Sequence, residues 1–182
     1  MKFEDSAGVR KVFDLSSPTQ MFEKLCWEND QIKSMLALDD PKVIFAAFNA
    51  AATAWHLIEW ITTFARVHPL EDKLDIDIKN YRDDAVARCP ELAICQQLSV
   101  GWKHRITERP NHPDVQALHV LDLYVKTEGG LPVDGASPTR WHRRPAIYKG
   151  KKSIDLDAFF DIVTHFWSAE LDRLKFSRTF TV

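Results

Sequence analysis

The sequence predicts a mainly α-helical (α+β) domain, a helical bundle of about five helices with a small antiparallel β-hairpin or sheet before the last helix. Three observations carry this expectation. Apolar residues recur at helical spacing in segments spread over residues 18–104 and again after 156. Helix caps and prolines punctuate those segments. Between them, 117–154 is rich in β-formers and holds a Lys-Gly turn. A chain of 182 residues is most simply one domain, so the expected organisation is an N-terminal tail, 1–17, and a single helical domain, 18–182, with the β-hairpin inserted at about 117–154.

The elements follow in order. Ser17-Pro18-Thr19-Gln20 starts a helix, with Ser as N-cap, Pro at the first helical position and Gln three residues after the cap. Phe22, Leu25, Ile32, Met35 and Leu36 keep helical spacing to about residue 38. Asp39-Asp40-Pro41 stops that helix and starts a second, which runs to about Val67, before His68-Pro69. Residues 71–84 carry six acids and three bases, the composition of a solvated linker and helix surface, and a third helix is expected at about 77–88. Cys89-Pro90-Glu91 opens a fourth, with Leu92, Cys95, Ser99 and Trp102 on one face and Pro110 and Pro113 beyond its end. "ALHVLDLYVK" (117–126) is a strand candidate bounded by Gly129-Gly130. "RPAIYKGKKSIDL" (144–156) predicts a hairpin turning near Lys149-Gly150. Asp155 or Asp157 then caps a last helix whose apolar face is Phe159, Ile162, Val163, Phe166 and Trp167, with His165 pointing away.

Composition narrows the function classes. Hydrophobic residues make up 45% and charged residues 27%, with eleven Phe and six Trp as bulky core material, which is the balance of a soluble globular chain. The net charge of −2 gives no global reason to bind nucleic acid or membrane, so any such case rests on local patches. Cys26, Cys89 and Cys95 form no CxxC pair and are expected as three buried thiols. Met1 to Ser17 is charged and lacks the apolar core of a signal peptide, so a reducing cytoplasm is expected. Residues 43–61 approach the length of a membrane span, but they are Ala-rich and contain Asn, His and Glu; a buried bundle helix and no membrane partner are expected.

Two local features bear on chemistry. In "NAAATAWHLIEWITT" (49–63), Asn49, Thr53, His56, Glu59 and Thr63 recur at spacings of four, three, three and four, one polar stripe along an otherwise apolar helix. Either the stripe belongs to a functional site, or it is a structural network or interface in which a buried His56 bonds to Glu59 or a neighbouring helix. His56-x-x-Glu59 lacks the second motif that a carboxylate-bridged metal site needs, so no metal and no cofactor are expected. The second feature is "TRWHRRPAIYKGKK" (139–152), which carries Arg140, Arg143, Arg144, Lys149, Lys151 and Lys152 and no acid, interleaved with Trp141, His142 and Tyr148. Cations neutralise phosphates while aromatic rings stack on unpaired bases. RNA or another nucleic acid is one candidate partner; an acidic protein partner explains the same patch.

"FNAAATAWHLIEW" (48–60) together with "CPELAICQQLSVGWKH" (89–104) resembles the motifs of a group of uncharacterised bacterial helical proteins, over about residues 18–107. More distantly, the layout is similar to HEPN domains. Those are helical bundles in which a polar residue on one helix faces an Arg-x(4–6)-His motif on a later one. Many are metal-independent endoribonucleases of toxin–antitoxin and phage-defence systems, and others are non-catalytic. The resemblance implies that His104 matches the motif histidine and Glu59 or Asn49 the polar partner. The positions that should hold the arginine are Gln97, Leu98 and Ser99; Lys103 is the cation adjacent to His104 that can replace it. His56 and His104 would then divide the roles of base and acid, Lys103 would stabilise charge, and Asn49 or Glu59 would orient an imidazole. HEPN-like domains commonly dimerise, so a homodimer is expected. Two classes of function remain: an RNA-acting defence ribonuclease or toxin, and a non-catalytic protein-binding module such as an antitoxin, an inhibitor or an assembly subunit.

Overall fold

The computed structural model describes residues 15–38, 40–67, 78–103, 115–124, 127–128, 131–132 and 140–176, with backbone only at 67, 78 and from 100 to 144. Helix α1 (Pro18–Ala37) begins as its sequence dictates. Ser17 stays extended, and its side-chain oxygen accepts the Gln20 backbone N–H at 3.2 Å. Gln20 Oε1 accepts in turn from the Ser16 backbone N–H at 2.7 Å, one residue before the usual partner of a capping box. Asp40 starts the next turn by accepting the Lys42 N–H at 2.9 Å, and α2 (Val43–Val67) follows. Ala47, Ala50, Ala51 and Ala54 are buried on α2, and their small side chains let neighbouring helices approach it.

Helix α3 (Ile78–Arg88) and α4 (Glu91–Lys103) are joined by Cys89-Pro90 alone. The proline ring disfavours helical backbone at Cys89, so one helix stops and the next begins in two residues. The expected strand is β1 (Val115–Tyr124). It pairs antiparallel along its whole length with β4 (Arg140–Lys149), from Val115 opposite Lys149 to Tyr124 opposite Arg140. Strand β5 (Lys152–Asp155) adds to the other edge of β4, giving the order β1-β4-β5. Strands β2 (Thr127–Glu128) and β3 (Leu131–Pro132) form a separate two-stranded ladder. The basic stretch is therefore more than the hairpin expected from 144 onward: its arginines lie on the central strand of a three-stranded sheet. The turn itself is as expected. Gly150 and Lys151 link the paired Lys149 and Lys152, and Gly150 takes φ +62°, open to glycine without a steric cost.

Helix α5 (Leu156–Arg173) starts after Asp155, which has extended backbone but makes no capping hydrogen bond through its side chain. Phe159, Phe160, Val163, Trp167 and Leu171 are fully buried on it, and His165 is exposed. Ile162 departs from the expected apolar face and is 46% exposed. Phe160 takes the place nearer the core, and one helix face cannot also accommodate a residue about 160° away from it. The helix ends in a Schellman motif. Phe176 N–H donates to Leu171 O at 3.0 Å, Lys175 N–H to Asp172 O at 3.0 Å, and Lys175 takes the left-handed φ of 56°. Phe176 then packs edge-on against Phe64 of α2, centroids 5.6 Å apart.

One core joins residues of all five helices with Ile147 of β4. Cys89 and Cys95 are buried, whereas Cys26 of α1, expected inside, is half-buried; none of the three is in a disulfide. Among the described residues no helix is long and apolar enough to cross a membrane.

Candidate functional site

The polar stripe of α2 divides in two. Thr53 is buried and accepts a hydrogen bond from Lys24 Nζ at 2.6 Å; the same ammonium pairs with buried Glu28 one turn along α1. Asn49, His56, Glu59 and Thr63 are exposed. Among the described residues the side chains of Asn49, His56 and Glu59 make no hydrogen bond or ion pair. The alternative of a buried, paired His56 is thus corrected. The reason is the helix's opposite face, where Ala54, Leu57 and Ile61 are fully buried or nearly so and hold α2 to the core. What remains is an open face. At about 100° per residue, Glu59 lies about 40° around the helix from Trp55, His56 about 100° and Thr53 about 160°. The face therefore runs from half-buried Trp55 on one side to Thr53, tucked toward α1, on the other. Phe45, 58% exposed, continues it toward the start of α2.

Beyond Trp55 lies a groove of about 520 Å³ between α2 and the α3–α4 elbow. Trp55, Val86, Ala87 and Ala93 form its apolar surface, and Arg82, Asp83 and Gln96 its polar rim. Arg82 Nε donates to Asp83 at 3.3 Å, the only hydrogen bond of that guanidinium among the described residues.

The other expected site residues fall as follows. Lys103 is the last residue of α4, with only its backbone described, and His104 lies outside the described residues. The structure thus brings Asn49, His56 and Glu59 to one face, while their approach to Lys103 and His104 lies outside what is described. Lys149, Lys151 and Lys152 are exposed around the β4–β5 turn and make no ion pair among the described residues. Arg140, Trp141, Arg143 and Arg144 stand on β4 opposite Tyr124, Leu123, Leu121 and Val120, with backbone alone described.

The most heavily hydrogen-bonded side chain among the described residues was absent from the sequence expectations. Glu170 of α5 is 1% exposed, and its carboxylate accepts five hydrogen bonds. Arg88 donates two, at 2.6 and 2.8 Å, Arg173 two, at 2.9 and 2.8 Å, and the Tyr81 hydroxyl one at 2.9 Å. Burial pushes such a carboxyl up, but the bonds from Arg173, Arg88 and Tyr81 outweigh it and hold Glu170 at about 2. Arg88 also lies over the Phe166 ring, 5.3 Å from its centroid, and bonds Asp84. With every Glu170 oxygen engaged, this is a clamp between α3 and α5. Burial, then Glu91, push the thiol of neighbouring Cys89 up to about 12, which disfavours its thiolate. A signal for the clamp existed. Glu170 falls three residues after Trp167 and seven after Val163, an acid at a core position of α5.

Comparison with protein families, curated proteins and solved structures found no match.

Proposed function

We propose that the chain is an HEPN-like, RNA-associated protein of a bacterial or phage defence or toxin–antitoxin type system. It acts in the cytoplasm and is a candidate metal-independent endoribonuclease. The observation that carries the RNA contact is the β4–β5 turn, where Lys149, Lys151 and Lys152 are exposed without ion partners among the described residues. A cluster of this kind gains from neutralising phosphates. In the cleavage reaction one imidazole takes the proton of a ribose 2′-OH, whose oxygen attacks the phosphorus. A second protonates the departing 5′-oxygen, and a cation balances the charge of the five-coordinate phosphorus. His56 and His104 are assigned the proton transfers and Lys103 the charge, with Asn49 and Glu59 orienting the groups.

The test is a titration of a fluorescent single-stranded RNA at several salt concentrations. Affinity is expected to fall with salt at a slope of about −0.7 per neutralised phosphate, and R143A/R144A/K151A to flatten that slope by about two units. W141A is expected to weaken binding by about 1–3 kcal/mol with little change of slope. No binding even at low salt would overturn the RNA reading.

A second reading has its own support: a non-catalytic protein-binding module. The open face of α2 sets exposed Phe45 beside unpaired Asn49, His56 and Glu59, the mixture of an apolar anchor and free polar groups that an interface uses. Both readings favour a homodimer, since an open helix face makes a water-poor site only when a second surface closes over it. Sedimentation at tens of micromolar is expected to give a species near twice 21.0 kDa; a lone monomer would count against the nuclease.

A further inference from the structure

The groove between α2 and the α3–α4 elbow has a composition that the hairpin contact leaves unused. Its apolar surface includes one half-buried indole, Trp55, together with Val86 and the short side chains of Ala87 and Ala93. A groove of about 520 Å³ lined by one ring and mostly small apolar side chains has the volume to take a second flat ring. Gln96 stands at the rim, its side-chain amide unpaired among the described residues, and offers a donor and an acceptor together. Arg82 uses only Nε, toward Asp83, so both terminal nitrogens of its guanidinium are available. A flat face, an amide that reads a donor–acceptor edge and a guanidinium at the mouth are together the needs of one nucleotide: stacking, edge recognition and phosphate. An aliphatic side chain would fill the apolar part but leave the amide and the guanidinium without partners. Asp83 keeps the mouth close to neutral, so binding there is expected to draw more on stacking than on charge.

We propose that this groove holds an unpaired nucleobase of single-stranded RNA stacked on Trp55, with Gln96 at the base edge and Arg82 on an adjacent phosphate. The inference rests on the RNA-associated reading above and gives it a substrate geometry. Glu59 lies one turn beyond Trp55, and His56 adjoins it on the same open face. A base seated in the groove directs its ribose and phosphate across that face. Because the base must leave a stack to enter, the groove selects single strands and loops over duplex.

The experiment uses the full chain labelled with 5-fluorotryptophan, a single-stranded RNA octamer and the blunt duplex of the same sequence. Fluorine spectra carry one resonance for each of the six tryptophans, and the Trp55 line is assigned by its loss in W55F. The octamer is expected to move the Trp55 line, and the duplex to leave it in place. W55A should weaken octamer binding about 5- to 150-fold, the range of one lost stack, while W55F, which keeps a ring, loses much less. R82Q should lower the salt slope by about 0.7, one phosphate's worth. An octamer that binds with full dependence on the hairpin lysines yet leaves the Trp55 line unmoved would overturn the groove and spare the RNA reading. An octamer that does not bind at all at low salt would overturn both. Should W55A fail to fold, the line shift in wild-type protein and the R82Q slope still decide.

Discussion

Replacing Glu170 with glutamine is expected to destabilise the protein by about 3 kcal/mol at neutral pH, and by progressively less as the solution is acidified. The magnitude follows from the carboxyl's displacement from 4.5 to about 2, at about 1.4 kcal/mol for each pH unit. The sign follows from the direction of that displacement. A carboxyl held below its unfolded value binds protons less readily in the folded state. Its stabilisation is complete above about 4.5 and is lost as pH falls toward 2. Glutamine does not titrate, and it points an N–H toward donors that already crowd the site. Urea unfolding of wild-type and E170Q protein at pH 7, 5, 4 and 3 measures the gap. A gap that stays constant across that range would show that the clamp does not work through its charge. R88A should cost a comparable amount at neutral pH, because it leaves a buried carboxylate with Arg173 and Tyr81 alone.

The second large effect concerns catalysis. H104A and H56A are each expected to reduce RNA cleavage at least about a hundredfold, the low end for a positioned acid or base, with thermal unfolding unchanged. His56 is suited to this test, since its exposed side chain makes no hydrogen bond among the described residues that the fold would lose. A chelator should leave the rate unaltered. Cleavage that survives both substitutions would point to a contaminating nuclease or another site. Binding that survives while no cleavage is detected in wild-type protein would favour the protein-binding reading.

Local physics made much of the fold legible. Ser17-Pro18 and Gln20 mark a helix start because capping acts within four residues; Val67 precedes His68-Pro69, and Lys149-Gly150 marks a turn because φ +62° suits glycine. The length of β4 was less visible. A strand begins at Arg140 because β1 pairs with it there, and pairing partners leave little trace in a strand's own residues. The polar stripe was legible as a stripe, but its exposure depends on which side of α2 the other helices choose. The Glu170 clamp was missed because Arg88 and Tyr81 lie 82 and 89 residues away in sequence. The acid at a core position was the trace it left, and Glu28, three residues after buried Leu25 and four before buried Ile32, left the same trace.

Helix α5 has a consequence for the order in which the molecule is made. It holds α3 through Glu170, α1 through Asp161, which accepts from Asn29 at 2.9 Å and pairs with Lys33 at 2.6 Å, and α2 through the Phe176 ring that follows it. Each of those partners leaves the ribosome before α5 does. A nascent chain that has reached residue 150 has its first four helices but lacks Trp167, Phe159 and Phe160, so the apolar residues that will enclose those rings stay uncovered. Completion of the core waits for the last long-range contacts, which are also the slowest to form by chain diffusion. The interval between synthesis of α4 and of α5 is when this chain is most exposed to aggregation and to chaperones, and the strands of the sheet are translated within it.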